Sequence, residues 1–181
     1  MSFSHAHALD DYIAGFAGTP NPHHLAILKR PLVFSVLAHA GHESSVEEAL
    51  AEIAEVSVRF CGPGEWLLVS ESIAPETLIR DLALLSGQLS FVDQSEGRVV
   101  MRLSGPRVRN VLAKCAGLDL HPDQFDLGGS ANTLCCHTPA NLARTGVDEF
   151  EITVMRSYAG YVFDEIVEMG REFAMTAGFA G

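Results

Sequence analysis

A strand, a turn and a helix follow one another without interruption between residues 99 and 120, and this unit restricts the possible folds more than any other feature. Apolar and polar positions alternate at its start, as in a half-buried strand: Val99, Met101 and Leu103 alternate with Val100 and Arg102. Pro106 stands where a helix is expected to begin, because its missing N–H needs no partner there. One face of the next eight residues is apolar: Val108, Val111, Leu112 and Cys115. Gly117 then predicts the end of that helix.

A similar unit lies earlier in the chain and opens a longer series of elements. Leu32 to Ala38 is a compact apolar run that predicts a buried strand. Ser45-Val46-Glu47-Glu48 matches a capping box, so a helix is predicted as far as Ile53. The remaining predicted elements are a strand at 56–60, a turn at Cys61-Gly62-Pro63-Gly64, a strand at 66–69, a helix from Pro75 and a strand at 89–92. The order β-α-β-β-α-β is the ferredoxin-like arrangement.

The second half of the chain repeats most of this order. The predicted elements are a strand at 99–103, a helix at 106–116, a strand at 132–137, a half-exposed strand at 150–154 and a long helix at 158–173, without a clear sixth strand. Glu65-Trp66 matches Glu149-Phe150, and Leu78 matches Val162 at the same offset. The opening strands of the two halves, which begin at Leu32 and Arg98, are separated by fewer residues than these matched positions. The second copy therefore contains additional residues after its first helix. The added residues must include most of Gly117 to Ser130.

We therefore predict an α+β fold made of two pseudo-repeated ferredoxin-like β-α-β-β-α units. Residues 1–30 are predicted to be an N-terminal arm, with a short helix from Leu9 to Phe16 that ends at Thr19-Pro20-Asn21-Pro22. Residues 31–181 are predicted to form a single duplicated domain with halves 31–93 and 98–175.

Composition excludes some classes of function and favours others. The net charge of −11 argues against binding to nucleic acid or to an anionic membrane surface, both of which need clustered Lys and Arg. No apolar run approaches the ~20 residues of a membrane helix. Yet 48% of the residues are hydrophobic and the mean hydropathy is +0.18, which favours a subunit that buries surface against a partner. The first residues do not resemble a secretory signal, so a cytoplasmic protein is expected.

The four cysteines are too few and too irregular for a disulfide framework. Cys135 and Cys136 are expected to point to opposite faces of a strand. Histidine clusters such as His5/His7 and His39/His42, and the run Cys135-Cys136-His137, lack the second half that a zinc site needs. No metal site is predicted.

Candidate catalytic groups are equally sparse. Gly62-Pro63-Gly64 suits a tight turn and is not a phosphate loop. Ser104 lies at a strand-to-helix turn but lacks the nucleophile-elbow motif. Asp119 and Asp123 flank His121, where they could hold a proton-transfer pair or a metal, although aspartates beside His-Pro more often shape a loop. Trp66 suits either a core position or a partner contact. Arg156 suits either solvent or a partner carboxylate.

Short motifs in a fixed order carry a family resemblance over residues 56–175. They are Gly62-Pro63-Gly64-Glu65-Trp66-Leu67-Leu68-Val69, Val92-Asp93-Gln94-Ser95, Leu103-Ser104-Gly105-Pro106, Leu112-Ala113-Lys114, Asp119-Leu120-His121-Pro122 with Phe125, Thr133, Arg156-Ser157-Tyr158-Ala159 and Glu172-Phe173. In this order and spacing they resemble the gamma subunit family of heterotetrameric sarcosine oxidases.

The resemblance implies a fold and a role. That family is similar to the folate-binding domain of the glycine-cleavage aminomethyltransferase, a duplicated α+β fold. It implies an accessory, structural subunit of a complex that oxidatively demethylates sarcosine to glycine, with larger flavoprotein subunits as partners. In such complexes FAD, FMN, NAD and tetrahydrofolate are held by the larger subunits and zinc by the smallest, so no cofactor is expected on this chain.

Two sequence differences from related enzymes also favour a chain without catalytic or cofactor-binding groups. Thr138 to Gly146 reads T-P-A-N-L-A-R-T-G, without the acidic residue that the aminomethyltransferase uses for folate chemistry near this position. The K-G-C-Y-x-G-Q-E signature of related iron–sulfur repair proteins is also absent. No catalytic or cofactor-binding residue is therefore predicted. The expected partner contacts are Trp66, Asp119, His121, Phe125 and Arg156.

Three alternatives stay open at this point. The chain could be a free-standing folate-binding or one-carbon-transfer protein of the same fold. It could also be a small metal-binding protein that uses its cysteines and histidines. When isolated, it could form a homo-oligomer.

Overall fold

The structure is a computed structural model that describes residues 6–16 and 21–181. His5 and the Thr19-Pro20 part of the predicted turn lie outside the described residues. The α-helices are α1 Asp10–Ile13, α2 Glu43–Ala51, α3 Pro75–Ala83, α4 Val108–Cys115 and α5 Ala159–Gly170. The strands are β1 His24–Ile27, β2 Leu32–Ala38, β3 Ser57–Gly62, β4 Glu65–Ser70, β5 Leu89–Asp93, β6 Arg98–Ser104, β7 Ser130–Cys135, β8 Thr138–Gly146, β9 Glu149–Met155 and β10 Thr176–Phe179.

The first half folds as the sequence predicts. Strands β2 to β5 form an antiparallel sheet in the order β3-β4-β2-β5, which is the ferredoxin-like strand order. Val36 on the central strand β2 stands opposite Trp66 on β4 and Phe91 on β5. Helices α2 and α3 bury their apolar sides, including Leu50 and Leu78, against this face of the sheet.

The second half forms a six-stranded sheet in the order β10-β1-β6-β9-β8-β7. It contains a sixth element that the sequence did not predict, because β10 closes the unit after α5. Strand β1, from the predicted arm, lies between β10 and β6, with His24 opposite both Thr176 and Ser104. Residues 24–27 thus form an interior strand of the sheet. The division of the chain into an arm of residues 1–30 and a domain of residues 31–181 stays a prediction.

The strand that corresponds to β3 in the second half is β8, which the sequence did not predict. Strand β8 pairs with β9 over residues 140–146, as β3 pairs with β4 in the first half. The strand predicted at 132–137 ends at Cys135 and is the edge strand β7. The added residues of the second copy therefore include a strand as well as a loop.

Two helix starts differ from the prediction. Helix α2 begins at Glu43, so Ser45 lies inside it and its hydroxyl donates to the His42 carbonyl at 3.0 Å rather than capping the helix. Helix α4 begins at Val108, two residues after Pro106. The turn before it depends on Gly105, whose φ of 132° favours glycine. A Cβ there would overlap the Pro22 carbonyl oxygen and lie 2.9 Å from His23 Cα.

The two sheets pack face to face between two layers of helices. Helices α4 and α5 cover one face of the six-stranded sheet, as α2 and α3 cover one face of the other. The helix-free faces meet through an apolar cluster, namely Leu28, Val33, Leu67, Val69 and Val100. The fold is therefore α+β with two ferredoxin-like units, as predicted.

A buried arginine crosses this junction between the sheets. Arg59 on β3 is 1% exposed, and it donates to Thr153 Oγ1 at 2.9 Å and forms an ion pair with Glu151 on β9. Arg102 on β6 also pairs with Glu151 and, at the surface, with Glu71. Burial lowers the pKa of Arg59, and the Glu151 carboxylate opposes that shift. The charged network thus fixes one sheet against the other.

Candidate partner-binding surface

The longest added segment of the second half, residues 116–129, is the insertion loop. Three of its residues were expected at a partner surface, and two of them, Asp119 and His121, are exposed. Asp119 Oδ1 accepts the His121 backbone N–H at 2.9 Å, and His121 Nδ1 accepts the Asp123 backbone N–H at 3.3 Å. These bonds shape the loop locally, which is the structural reading of the Asp-His-Asp trio.

Phe125 anchors the insertion loop to the core. Its buried ring stacks on Phe150 of β9 with centroids 6.3 Å apart. Arg144 of β8 donates to the Phe125 carbonyl at 2.7 Å. Phe125 was expected to contact a partner, but its buried ring instead supports the loop from below.

Arg109 of α4 joins the insertion loop to the turn between β8 and β9. Its Nε donates to the Leu120 carbonyl at 3.0 Å, and its other nitrogens donate to Asp148 Oδ1 at 2.7 Å and the Val147 carbonyl at 2.6 Å. The guanidinium also lies 5.2 Å from the centroid of the Phe150 ring. The loop and the turn are thus one rigid surface.

Two large apolar side chains stand out on this surface. Leu127 in the insertion loop is 61% exposed, and Val147 in the turn is 72% exposed. We call Asp119, His121, Asp123, Leu127 and Val147 the insertion surface. Exposed apolar side chains on a backbone that is already fixed suit contact with a protein, because burying them against a partner costs little conformational entropy.

The other two expected contacts lie elsewhere. Trp66 is 4% exposed and packs in the core under α2 and α3, as the core reading of this residue expects, and a partner contact there stays a prediction. Arg156 follows the far end of β9, about 20 Å along the strand from the turn that carries Val147. Its Nη2 donates to the Ala6 carbonyl at 2.8 Å, which ties the N-terminal segment down.

Arg156 also lines a cavity of about 410 Å³ that lies between the two units. Basic and acidic side chains both line it: Lys29, Arg30 and Arg98 as well as Glu71 and Asp93. No sequence pattern predicts this cavity, because its lining comes from segments that are far apart in the chain.

A metal site is not formed by the side chains in the described part of the chain. Among residues 6–16 and 21–181, no group of three or more His, Cys, Asp or Glu is arranged to hold a metal ion. In the same residues, no helix is long and apolar enough to cross a membrane.

Comparisons with known proteins agree on one family. The family model of the sarcosine oxidase gamma subunit matches residues 30–171. The gamma subunit of sarcosine oxidase from Corynebacterium sp. (strain P-1) is 31% identical over 150 residues, which are 78% of this chain and 71% of that protein. The gamma subunit from Corynebacterium sp. (strain U-96) is 29% identical over 136 residues, which are 74% of this chain but only 65% of that protein.

Solved structures show the same fold. A chain of the heterotetrameric sarcosine oxidase from Corynebacterium sp. U-96 matches 97% of this chain and 99% of its own length, with a TM-score of 0.80 at 22% identity. The glycine-cleavage aminomethyltransferase T from Bartonella henselae matches 88% of this chain and 48% of its own length, with a TM-score of 0.62 at 16% identity.

Proposed function

Because the chain belongs to the sarcosine oxidase gamma subunit family, we propose that it is the accessory, structural subunit of a sarcosine-oxidase-like complex. The complex would oxidatively demethylate sarcosine to glycine. FAD, FMN, NAD and tetrahydrofolate would be bound by its larger subunits, and this chain would contribute a binding surface rather than reacting groups.

The insertion surface is the observation that supports this role. Its backbone is fixed from three sides by Arg109, Arg144 and the buried Phe125 ring, so little conformational entropy is lost when a partner binds. Leu127 and Val147 offer apolar area that the fold itself leaves in water. We therefore assign the contact with a larger subunit to this surface.

Co-expression with the larger subunits of sarcosine oxidase from the same organism tests the proposed function. An affinity tag on this chain is expected to recover a complex with flavin absorbance and sarcosine-dependent turnover. Assembly of a flavoprotein with the same stability and turnover in the absence of this chain would contradict the proposal.

The site of contact is tested by the double variant Leu127→Asp/Val147→Asp. Each apolar side chain contributes about 1.5 kcal/mol when buried, so the double variant is expected to bind about a hundredfold more weakly. Leu84→Asp is the matched control, because Leu84 is 80% exposed but lies after α3 in the other unit. Equal binding by the double variant and the control would place the interface elsewhere.

A free-standing folate-binding protein is the alternative function. The cavity between the units would be its site, since Lys29, Arg30 and Arg98 could pair with the carboxylates of folate. Calorimetry with tetrahydrofolate on the isolated chain separates the two functions. Saturable heat that Arg98→Met abolishes would favour folate binding, and no heat would favour the accessory subunit.

A further inference from the structure

Three of the four cysteines converge at one corner of the second unit. Cys115 ends α4, Cys135 ends β7, and Cys136 follows in the turn to β8. Ala116 and Cys135 form an isolated antiparallel bridge, and the Cys136 N–H donates to the Cys115 carbonyl at 2.8 Å. This register sets Cys115 opposite Cys136. Cα atoms of such neighbours are about 4.5–5.5 Å apart, a distance that a disulfide can span.

The turn that holds Cys136 has an unusual composition. Cys136 and His137 are the two residues between β7 and β8, and their φ angles are 49° and 63°. A two-residue hairpin with both angles positive usually contains Asn-Gly, because other side chains strain this backbone by about 1 kcal/mol or more each. The turn places Cys136 Sγ 4.0 Å from Cys135 Sγ, although neighbouring strand residues were expected to point apart.

The neighbouring thiols make Cys136 the acidic member of the group. Hydrogen bonding from the Cys115 thiol, and then from the Cys135 thiol, lowers the pKa of Cys136 to about 4. The same bonds and burial raise the pKa values of Cys115 and Cys135. Cys136 is therefore the thiol of this group that loses its proton most readily. The charged or titratable groups that face Cys136 are His137 from the turn, Lys114 from α4, and Tyr161 and Glu165 from α5.

A surface cavity of about 350 Å³ leads to two of these three cysteines. Cys115 and Cys136 line it, whereas Cys135 does not and is fully buried. Small electrophiles can therefore reach Cys136, and Cys115 stands beside it.

We propose that Cys136 is a nucleophilic thiolate that reacts with small hydroperoxides, and that Cys115 then resolves it as a disulfide. The Cys136 sulfur attacks the terminal peroxide oxygen and forms an S–O bond, the O–O bond breaks, and the leaving alkoxide or hydroxide takes a proton from solvent. Cys136 is now a sulfenic acid. The Cys115 sulfur attacks it, the S–O bond breaks, and water leaves with the Cys115 proton. The two cysteines lose two electrons in total, and the hydroperoxide gains them.

Alkylation of the intact wild-type chain tests the thiolate without any variant. Native protein is treated with iodoacetamide between pH 5 and 9, and each cysteine is followed by peptide mass spectrometry. The alkylation rate of Cys136 is expected to stay nearly constant over this pH range, because its pKa of about 4 lies below the range. Cys61 is the internal control, because burial raises the pKa of its thiol. Its alkylation rate is expected to fall about tenfold for each pH unit by which the pH is lowered. Parallel decline of the Cys136 and Cys61 rates would overturn the proposal.

Oxidation with one equivalent of hydrogen peroxide tests the resolving step. The wild-type chain is expected to lose two hydrogens in mass and to give a Cys115–Cys136 linked peptide without reductant. Cys115→Ser should instead stop at a sulfenic acid that dimedone traps, while Cys61→Ser should behave as wild type. A Cys135–Cys136 disulfide in either protein, or equal oxidation of Cys61, would overturn the assignment. Circular dichroism confirms that each variant is folded.

Discussion

Gly105 shows how one residue fixes the start of the second unit. Its φ of 132° and the approach of the Pro22 and His23 backbone leave no space for a side chain. The turn therefore joins the chain before β1 to the strand-helix junction between β6 and α4. The sequence places this glycine beside Pro106, but the segment that packs against it comes from the predicted arm.

Gly105→Ala is expected to lower the free energy of unfolding by about 3 kcal/mol, since backbone strain and overpacking each cost about 1–3 kcal/mol. Urea unfolding followed by circular dichroism measures the change. Gly117→Ala is the control, because a Cβ there meets nothing within 4 Å. A similar midpoint for Gly105→Ala and Gly117→Ala would show that the turn can relax.

At the scale of elements, two histidines contact β10, namely His24 on its neighbour β1 and His7 in the N-terminal segment. Burial lowers the pKa of His24, whose Nδ1 lies 2.8 Å from Thr176 Oγ1 of β10. Burial is also the main cause that lowers the pKa of His7, whose ring meets Phe179 of β10 edge-on at 5.1 Å. Both rings thus hold the last strand while they are uncharged.

The sign of the resulting pH dependence follows from proton linkage. The unfolded chain takes up a proton at each histidine near pH 6.5, before the folded chain does, so stability is lost as the pH falls below about 6.5. Urea unfolding at several pH values measures this dependence. The free energy of unfolding is expected to decrease less at acid pH in His24→Gln than in the wild type. His42→Gln, at an exposed position, controls for removal of an imidazole. If the free energy of unfolding of His24→Gln depended on pH as steeply as that of the wild type, the proposed linkage would be contradicted.

The elements that the sequence missed have physical reasons in common. Strands β1 and β10 have only four residues each, too few for alternation to be recognised. Strand β8 contains Pro139 and Asn141, which disfavour strands, yet its interior is buried on both faces by tertiary packing. The first sheet and β6 were predictable because their strands are apolar and bounded by clear turns. Leu127 and Val147 were missed because single exposed apolar residues in loops carry no pattern.

At the scale of the whole molecule, Arg59 holds the two units together from the centre of their junction. Its buried guanidinium contacts Thr153 and Glu151 of the other sheet. Sequence alone could not reveal this contact, because the partners lie more than ninety positions apart and Arg59 reads as an exposed strand residue.

Arg59→Met is expected to lower the free energy of unfolding by about 3 kcal/mol, because it leaves buried polar groups without their donor. Arg80→Met, which removes an exposed arginine paired with Asp81, is expected to change it by less than about 0.5 kcal/mol. Equilibrium unfolding in urea compares the two variants. Equal effects would mean that the junction tolerates the loss of its charged network.

The place of β1 between β6 and β10 has a consequence for how the chain is made. Strand β1 leaves the ribosome before either neighbour exists, whereas strands β2 to β5 complete their sheet from one continuous stretch. Domains fold from the N-terminal side during synthesis. The first unit can therefore form before β1 has a partner on either side, because β6 ends only at Ser104 and β10 begins only at Thr176. Translation has to reach the last residues before the second sheet can close, so a chain that stops short of Thr176 leaves β1 with an open edge.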